Sequence, residues 1–450
     1  MKTLKLSLLS MAIGSLLIAG ACQKEIATIG SPTKGDFDVI QRDDNHFVLI
    51  NKTKGSNIST WNIPNLGKSF QGDSVSLYIG GSGTYDVLLY PATKGGIDSV
   101  VKQIKVAKND PVLFKKQSDI VVSGWYNDGW NAESHQIYMN NNTLFSEVNP
   151  YWYNLGTGTD AIGKTVADGS IYERSYAFNA SMITQVRNKG DLFIPTVGDM
   201  STGQLNTILS NTTARQNLIN NLVNKAIQRN YDGWDLNFEH ANESGKQAFS
   251  LFVHDLGAAL QAQGKVLDVT IGGFENATKE SYWIFDYDGL NIPQVRYIKI
   301  MAYDQFLGPN PSLNPVGDIN WVEDILNYAI TTRGVPAKKI ILGIANYGWS
   351  FKQNPTTQNM EIIYPFTTYS QYMAKAGFAS WYQPWCEELY GEWTENGIYH
   401  AAFFNNAESV GKRLALVNTY GIAGVCFWVL GREDAAIYSN KIPTILGAGR

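Results

Sequence analysis

"YDGWDLNFEH", residues Tyr231–His240, places Asp235, Asn237 and Glu239 at alternate positions with Leu236 and Phe238 between them. Strand side chains alternate between two faces, so as a strand this stretch turns three acid or amide groups one way and two apolar groups the other. A solvated sheet produces the same alternation without any function, so the flanks decide. Before it, "RQNLINNLVNKAIQ" sets Leu218, Ile219, Leu222, Val223, Ala226 and Ile227 on one helical stripe. After it, "AFSLFVHDLGAALQAQG" does the same with Phe249, Phe252, Val253, Leu256 and Leu260, and Gly264 supplies a stop. The stretch reads as a strand between two amphipathic helices.

The same grammar repeats on both sides. "DIVVSGWY", "LFSEVNPYWYNL", "DLFIPTVG", "YDGWDLNFE", "KVLDVTIGG", "VRYIKIMAYD", "KKIILGIANYG" and "GIAGVCFWVLG" are eight strand-like runs in order. Eight strand-then-helix units predict an α/β domain over residues 118–450, a (β/α)8 TIM barrel. A doubly wound open sheet is the competitor, but no Gly-rich phosphate turn follows any of the runs. Barrel sites form at the C-terminal ends of the strands, so Asp235, Asn237 and Glu239 are expected to line the interior in ascending order. Glu239, last on its strand, then reaches the mouth. Polar groups stacked inside a barrel are costly unless they pair with one another or with a ligand.

Composition bounds the partners. At 450 residues the chain can hold two domains. Its 12 Trp and 24 Tyr are generous, and rings with polar handles suit sugar faces as well as cores. The net charge of −4, with no basic run after the first few residues, argues against nucleic acid. Five scattered His and three Cys lack metal-ligand spacing, so neither metal nor organic cofactor is expected.

The N-terminal segment reads as an address. "MKTLKLSLLSMAIGSLLIAGAC" has a Lys-bearing start, an apolar stretch and small residues before Cys22, the plan of a secretory signal over residues 1–21. Its end, "LIAGAC", resembles a bacterial lipobox, which implies lipidation at Cys22 and an exported lipoprotein held to the outer membrane or cell surface. Residues 22–35 are polar and turn-rich, the composition of a tether. From 36 to 110 come short alternating runs, "HFVLINKT", "DSVSLYIG", "TYDVLLYPA" and "SVVKQIKV", which predict a small all-β immunoglobulin-like sandwich. "SGTYDVLLYPATKGGIDSVVKQIKV" resembles the closing hairpin of a PKD-type module, a family that serves as spacer or carbohydrate-contacting accessory. Cys386 and Cys426 could pair if exported, although Cys426 in "GVCFWVL" reads better as a buried free thiol.

Four ordered motifs of the barrel carry a further resemblance. "DGWDLNFE" is similar to the fourth strand of glycoside hydrolase family 18, D-G-x-D-x-D-x-E, matching at Asp232, Gly233, Asp235 and Glu239 and departing at Asn237. "MAYD" (Met301–Asp304) resembles the family's sixth-strand M-x-Y-D, "LGIANYGWSF" its seventh-strand G-x-x-x-Y-G, and "FWVLGRED" its eighth-strand end with Trp428. "VNPYWYN" and "WVLGRED" are closest to the branch that includes spore-germination-type cell-wall hydrolases. The resemblance also implies a small α+β insertion, here about residues 351–400, whose Trp381, Trp385 and Trp393 are expected mostly as lobe core.

The chemistry that this resemblance implies is retaining hydrolysis in which the substrate's own acetamido oxygen is the nucleophile, an exception to the usual carboxylate pair. Glu239 is then acid and base, with a pKa raised by burial and neighbouring charge. Asn237 and Tyr303 are expected to hold the acetamido group, Asp235 to orient Asn237, and Asp304 to contact the same subsite. Trp428 is the sugar floor, and Met301, Asp232 and Tyr347 are expected as further substrate contacts. Asn237 also resembles family 85, which pairs an Asn with its catalytic Glu at this two-residue spacing. The implied substrate is a β-linked N-acetylglucosamine glycan: chitin oligosaccharide, peptidoglycan or N-glycan core. The alternative is a carbohydrate-binding lipoprotein with weak or no catalysis, kept open by Asn237.

Overall fold

The computed structural model describes residues 31–447 apart from 67, 80–81, 108–119, 128–130, 160–163, 176–178, 200, 202 and 308–310. The expected signal segment, Cys22 and most of the tether lie outside the described residues. The chain divides into two units, Met1–Asp110 and Pro111–Arg450.

The described part of the first unit is built of antiparallel strands with one short 3-10 turn, Pro64–Leu66. Phe37–Gln41, His46–Asn51 and Ser74–Tyr78 form one sheet. The second runs Lys68–Gln71, Ile58–Ile63, Gly83–Thr93, Gly96–Ile97, with Val100–Val106 also paired to Gly83–Thr93. Alternate residues point inward, as in Ile58–Ile63, where Ser59, Trp61 and Ile63 are buried. Phe37, Leu49, Trp61, Leu77 and Leu89 from both sheets share one core, and Phe37 meets Trp61 edge-on at 5.1 Å.

The second unit is a closed parallel barrel. Its strands are Val121–Tyr126, Glu147–Leu155, Thr196–Gly198, Gly233–Asn237, Val266–Gly272, Tyr297–Met301, Ile340–Ala345 and Gly424–Trp428. Closure comes from the eighth strand pairing the first, Val425 opposite Val122, and the first pairing the second, Trp125 opposite Asn149. All eight predicted runs are present. The third is split into Leu192–Phe193 and Thr196–Gly198 around Pro195, which has no N–H to give the ladder.

The two helices that flank the fourth strand are Thr212–Gln228 and Lys246–Gln261. Leu218, Ile219, Leu222 and Ala226 are buried on the first, but Ile227 at the edge of the stripe is exposed. Gly264 stops the second in the left-handed region at φ 67°. Beneath the future site, the barrel interior holds Glu147, Asp268 and Lys299, with Lys299 Nζ 3.1 Å from Glu147 and 3.2 Å from Asp268. Arg296 closes the cluster on the same two carboxylates, so the buried charges balance.

Between the seventh strand and helix Ala407–Tyr420 stands the insertion, an antiparallel sheet of five strands from Gly348 to Phe404 with helix Tyr369–Met373. Trp393 is core there, stacked on His400 at 5.0 Å. Trp381 and Trp385 are not: both are exposed, against the expectation that they fill the lobe. Cys386 and Cys426 are free, buried thiols rather than a disulfide.

Candidate active site

The fourth strand is hydrogen-bonded on both sides, Asp235 lying opposite Thr196 on one neighbour and Asp268 on the other. Its first polar residue is fully enclosed. Asp235 Oδ2 accepts from Trp125 Nε1 and Thr196 Oγ1, both at 2.8 Å, and Oδ1 from Thr270 Oγ1 at 2.7 Å. Asp235 was expected to orient Asn237, but these donors from the first, third and fifth strands occupy its oxygens. The Asn237 amide instead donates to Glu239 Oε1 at 2.9 Å, and Asn237 Oδ1 is buried without a hydrogen-bond partner.

Glu239 was expected last on its strand, but the ladder stops at Asn237 and Glu239 sits two residues beyond. A carboxylate from the third strand's exit holds it. Asp199 accepts from Glu239 N at 3.0 Å, from His240 N at 2.9 Å, and lies 3.0 Å from His240 Nδ1. Solvent reaches the Glu239 carboxyl through the cleft, but protein crowds its other sides. That desolvation raises its pKa above the usual range, opposed by the Asn237 hydrogen bond and His240 and reinforced by Asp199.

Two cavities meet at Glu239. The smaller, about 330 Å³, is lined by Trp125, Asn127, Tyr151, Arg174, Asn237 and Trp428 among others. The larger, about 1030 Å³, runs past Gly272, Glu275, Trp283, Phe306 and Trp321. Glu239, Met301, Tyr303 and Asp304 belong to both. The sixth strand thus delivers Met301, Tyr303 and Asp304 to the partition, and the eighth delivers Trp428, edge-on to Trp125 at 6.2 Å. Burial, with Glu239 and Asp304 nearby, pushes the Tyr303 hydroxyl well above its ordinary value, so it is neutral and can donate.

Asp304 adopts φ 59°, uncommon for a residue with a Cβ. Its Oδ1 accepts from Tyr347 OH at 2.7 Å and Trp349 Nε1 at 2.8 Å. Desolvation outweighs those two donors and, with Glu239, raises its pKa to about 6.

Two expected substrate contacts are placed elsewhere. Asp232 lies at the opposite, N-terminal end of the fourth strand, where Oδ2 accepts from Phe193 N at 2.7 Å and Arg187 approaches to 3.6 Å. It ties the barrel floor together and lines neither cavity. Tyr347 is buried and lines neither cavity; it acts on the site through Asp304.

Sequence reading missed Asp199, Tyr151, Arg174 and Trp349. Arg174 lies 4.3 Å from the Tyr151 ring centre and donates to the Asn154 carbonyl at 2.9 and 3.1 Å, while the Asn154 amide donates to Tyr151 OH at 3.0 Å. The Tyr151 hydroxyl, pushed up to about 12 by desolvation against the pull of Arg174, lies close over the third strand's exit. A Cβ on Gly198 would meet that hydroxyl at 2.1 Å. The available signal was positional: "TVGD" closes a barrel strand, the place where a carboxylate serves the mouth rather than the floor.

Comparison with known proteins places this geometry. YdhD of Bacillus subtilis (strain 168), which bears the name of a sporulation-specific glycosylase, is 26% identical over 295 residues, 63% of this chain and 66% of that one. The cortical fragment-lytic enzyme of the same organism is 21% identical over 229 residues, 50% of this chain and 52% of that one. The chain therefore spans less than two thirds of either relative's length. Among solved structures, the chitinase from Chromobacterium violaceum ATCC 12472 shares the fold with a TM-score of 0.62 at 24% identity, over 73% of this chain and 99% of that one. Residues 128–433 match the family model of Glycosyl hydrolases family 18, and the chain belongs to that family.

Proposed function

We propose that this protein hydrolyses β-linked N-acetylglucosamine glycans with retention, using the substrate's acetamido oxygen as nucleophile. The observation that carries this reading is the pair at the partition: Asn237 donating to Glu239 at 2.9 Å, with its own Oδ1 buried and unpartnered beside the smaller cavity. A buried acceptor without a donor is costly, and a substrate acetamide N–H is the donor this chemistry would bring. Glu239, whose pKa desolvation shifts upward, gives its proton to the leaving oxygen while the acetamido oxygen closes on the anomeric carbon. Tyr303 donates to that oxygen and Trp428 supports the apolar sugar face. Water, activated by the now ionised Glu239, opens the cyclic intermediate on the same face from which the leaving group departed.

The test is hydrolysis of N-acetylchitotetraose followed by NMR of the newborn anomer. β-Product from the parent and none from Glu239→Gln supports the reading; α-product, or parent-like turnover by Glu239→Gln, overturns it. The second reading, a carbohydrate-binding protein, is favoured by one observation, the amide at 237 where the family motif has a carboxylate. We further propose export and lipid anchoring at Cys22, supported by "LIAGAC", with the N-terminal sandwich as a PKD-like spacer. Release of Cys22→Ala from the membrane fraction is the expected result, and its retention after export would count against the anchor.

A further inference from the structure

The insertion exposes aromatic rings that its own core does not use. Trp381, on the edge strand Ala379–Gln383, is 49% exposed, and Trp385, in the turn that follows, is 54% exposed. Side chains of this size are rarely so open without a reason. They belong to one row across one face of the sheet: Trp381 lies opposite Tyr390, and Tyr390 opposite Phe403. Trp381 stacks on Tyr390 at 6.2 Å with the planes 23° apart, Tyr390 meets Phe403 at 5.4 Å, and Trp385 meets Phe403 edge-on at 6.2 Å. The row has a polar margin, where Tyr390 and Tyr399 hydroxyls lie 2.7 Å apart and Tyr399 donates to Glu392 at 2.8 Å.

The row is also tied to a helix that lines the cleft. Asn320 Nδ2 donates to the Trp385 carbonyl at 2.9 Å, and its neighbour in helix Ile319–Asn327, Trp321, lines the larger cavity. We propose that this aromatic face carries a distal stretch of the same β-linked N-acetylglucosamine strand whose scissile bond lies at Glu239, so that the substrate is a polymer longer than the cavity. The inference rests on the function proposed above. Pyranose rings present C–H faces to aromatic rings and hydroxyls at their edges, and this surface offers flat rings with a hydroxyl and carboxylate margin. On this proposal a strand leaving the larger cavity past Trp321 runs on to Trp385.

The experiment compares the parent, Trp381→Ala/Trp385→Ala and Trp381→Phe/Trp385→Phe on two probes, N-acetylchitotetraose and insoluble β-chitin. Binding to the chitin is read by depletion in a Glu239→Gln background, independently of turnover. The double alanine variant is expected to lose about tenfold in chitin binding while tetraose hydrolysis stays within about twofold of the parent, and the phenylalanine variant to keep most of the binding. Unchanged chitin binding, or an equal loss on both probes, overturns the proposal. So does a parent dimer that the alanine variant converts to monomer in sedimentation, since the face would then be a self-contact. Failure of the parent on tetraose with intact, Trp-dependent chitin binding sinks the catalytic reading and leaves the polymer-binding face standing.

Discussion

The Asn237 amide donates to Glu239 Oε1 at 2.9 Å, where a carboxylate at position 237 would set two like charges side by side. The hydrogen bond favours the charged form of Glu239, and desolvation, the larger effect, disfavours it. Replacing Asn237 by Asp removes the first and adds repulsion, so the Glu239 pKa rises and the proposed general acid stays protonated to higher pH. Asn237→Asp is therefore expected to move the alkaline limb of kcat/KM upward, from a mildly acidic optimum in the parent. A pH–rate profile of both forms on one chromogenic chitooligosaccharide checks this, and an unmoved or lowered limb counts against it. A parent without activity that Asn237→Asp activates would favour the binding-protein reading.

Asp199 fixes Glu239 from the backbone rather than through its carboxyl, accepting the amides of Glu239 and His240. Asp199→Ala frees both amides and lets the Glu239 side chain, the proposed acid, drift. Misplacement of this kind costs about 10–100-fold in kcat, with a smaller change in KM. Stability should fall by about 1–3 kcal/mol for the unmade hydrogen bonds. Steady-state kinetics beside a urea melt separates the two effects; a variant that loses stability but keeps kcat refutes the positioning role.

Gly198 is required by contact rather than by backbone freedom. Its missing Cβ leaves room for the Tyr151 hydroxyl, which would otherwise lie 2.1 Å away. Gly198→Ala must push Tyr151, and with it Arg174, off the smaller cavity. Activity on short oligosaccharides should fall at least about tenfold, at a cost of about 1–3 kcal/mol in stability for overpacking. Gly198→Ala/Tyr151→Phe, which removes the nearest oxygen but leaves ring carbons 2.8 and 2.9 Å from the new Cβ, should recover part of the stability and less of the activity. Full recovery of both would show that the Tyr151 hydroxyl has no part in the reaction.

Period and position made the barrel legible, because each strand run alternates with an amphipathic stripe and both signals depend only on local order. Glu239, Asn237, Tyr303, Asp304, Met301 and Trp428 emerged at the mouth for the same reason: each lies at the C-terminal end of a run. Asp232 was misread because it was carried over with the motif as a whole, although the residue at a strand's start lies at the floor. Trp349 and Tyr347 serve Asp304 across a distance of more than forty positions, which only the folded register reveals. Exposure of Trp381 and Trp385 was equally hidden, since an edge strand cannot be told from a central one by its sequence pattern.

Asp304 places a carboxyl of pKa about 6 at the cleft. An ordinary aspartate titrates near 3.9, so between about pH 4 and pH 6 the folded protein binds more protons than the unfolded chain. Stability is then highest below the unfolded value, falls as pH rises through that window, and is lowest above about 6. Asp304→Asn keeps an oxygen to accept from Tyr347 and Trp349 but removes the charge. The variant should gain on the order of 2 kcal/mol at pH 7 and little at pH 4, where the parent's Asp304 is already neutral. Glu239 titrates in both proteins, and losing a neighbouring charge acts on it in the same direction. Under the proposed mechanism turnover should fall, because Asp304 lines both cavities together with Glu239. Thermal melts of both proteins at pH 4 and pH 7, with activity measured in parallel, decide the matter: equal melting differences at the two pH values, or a loss at pH 7, would show that the buried charge is not what the cleft sacrifices in stability for its chemistry.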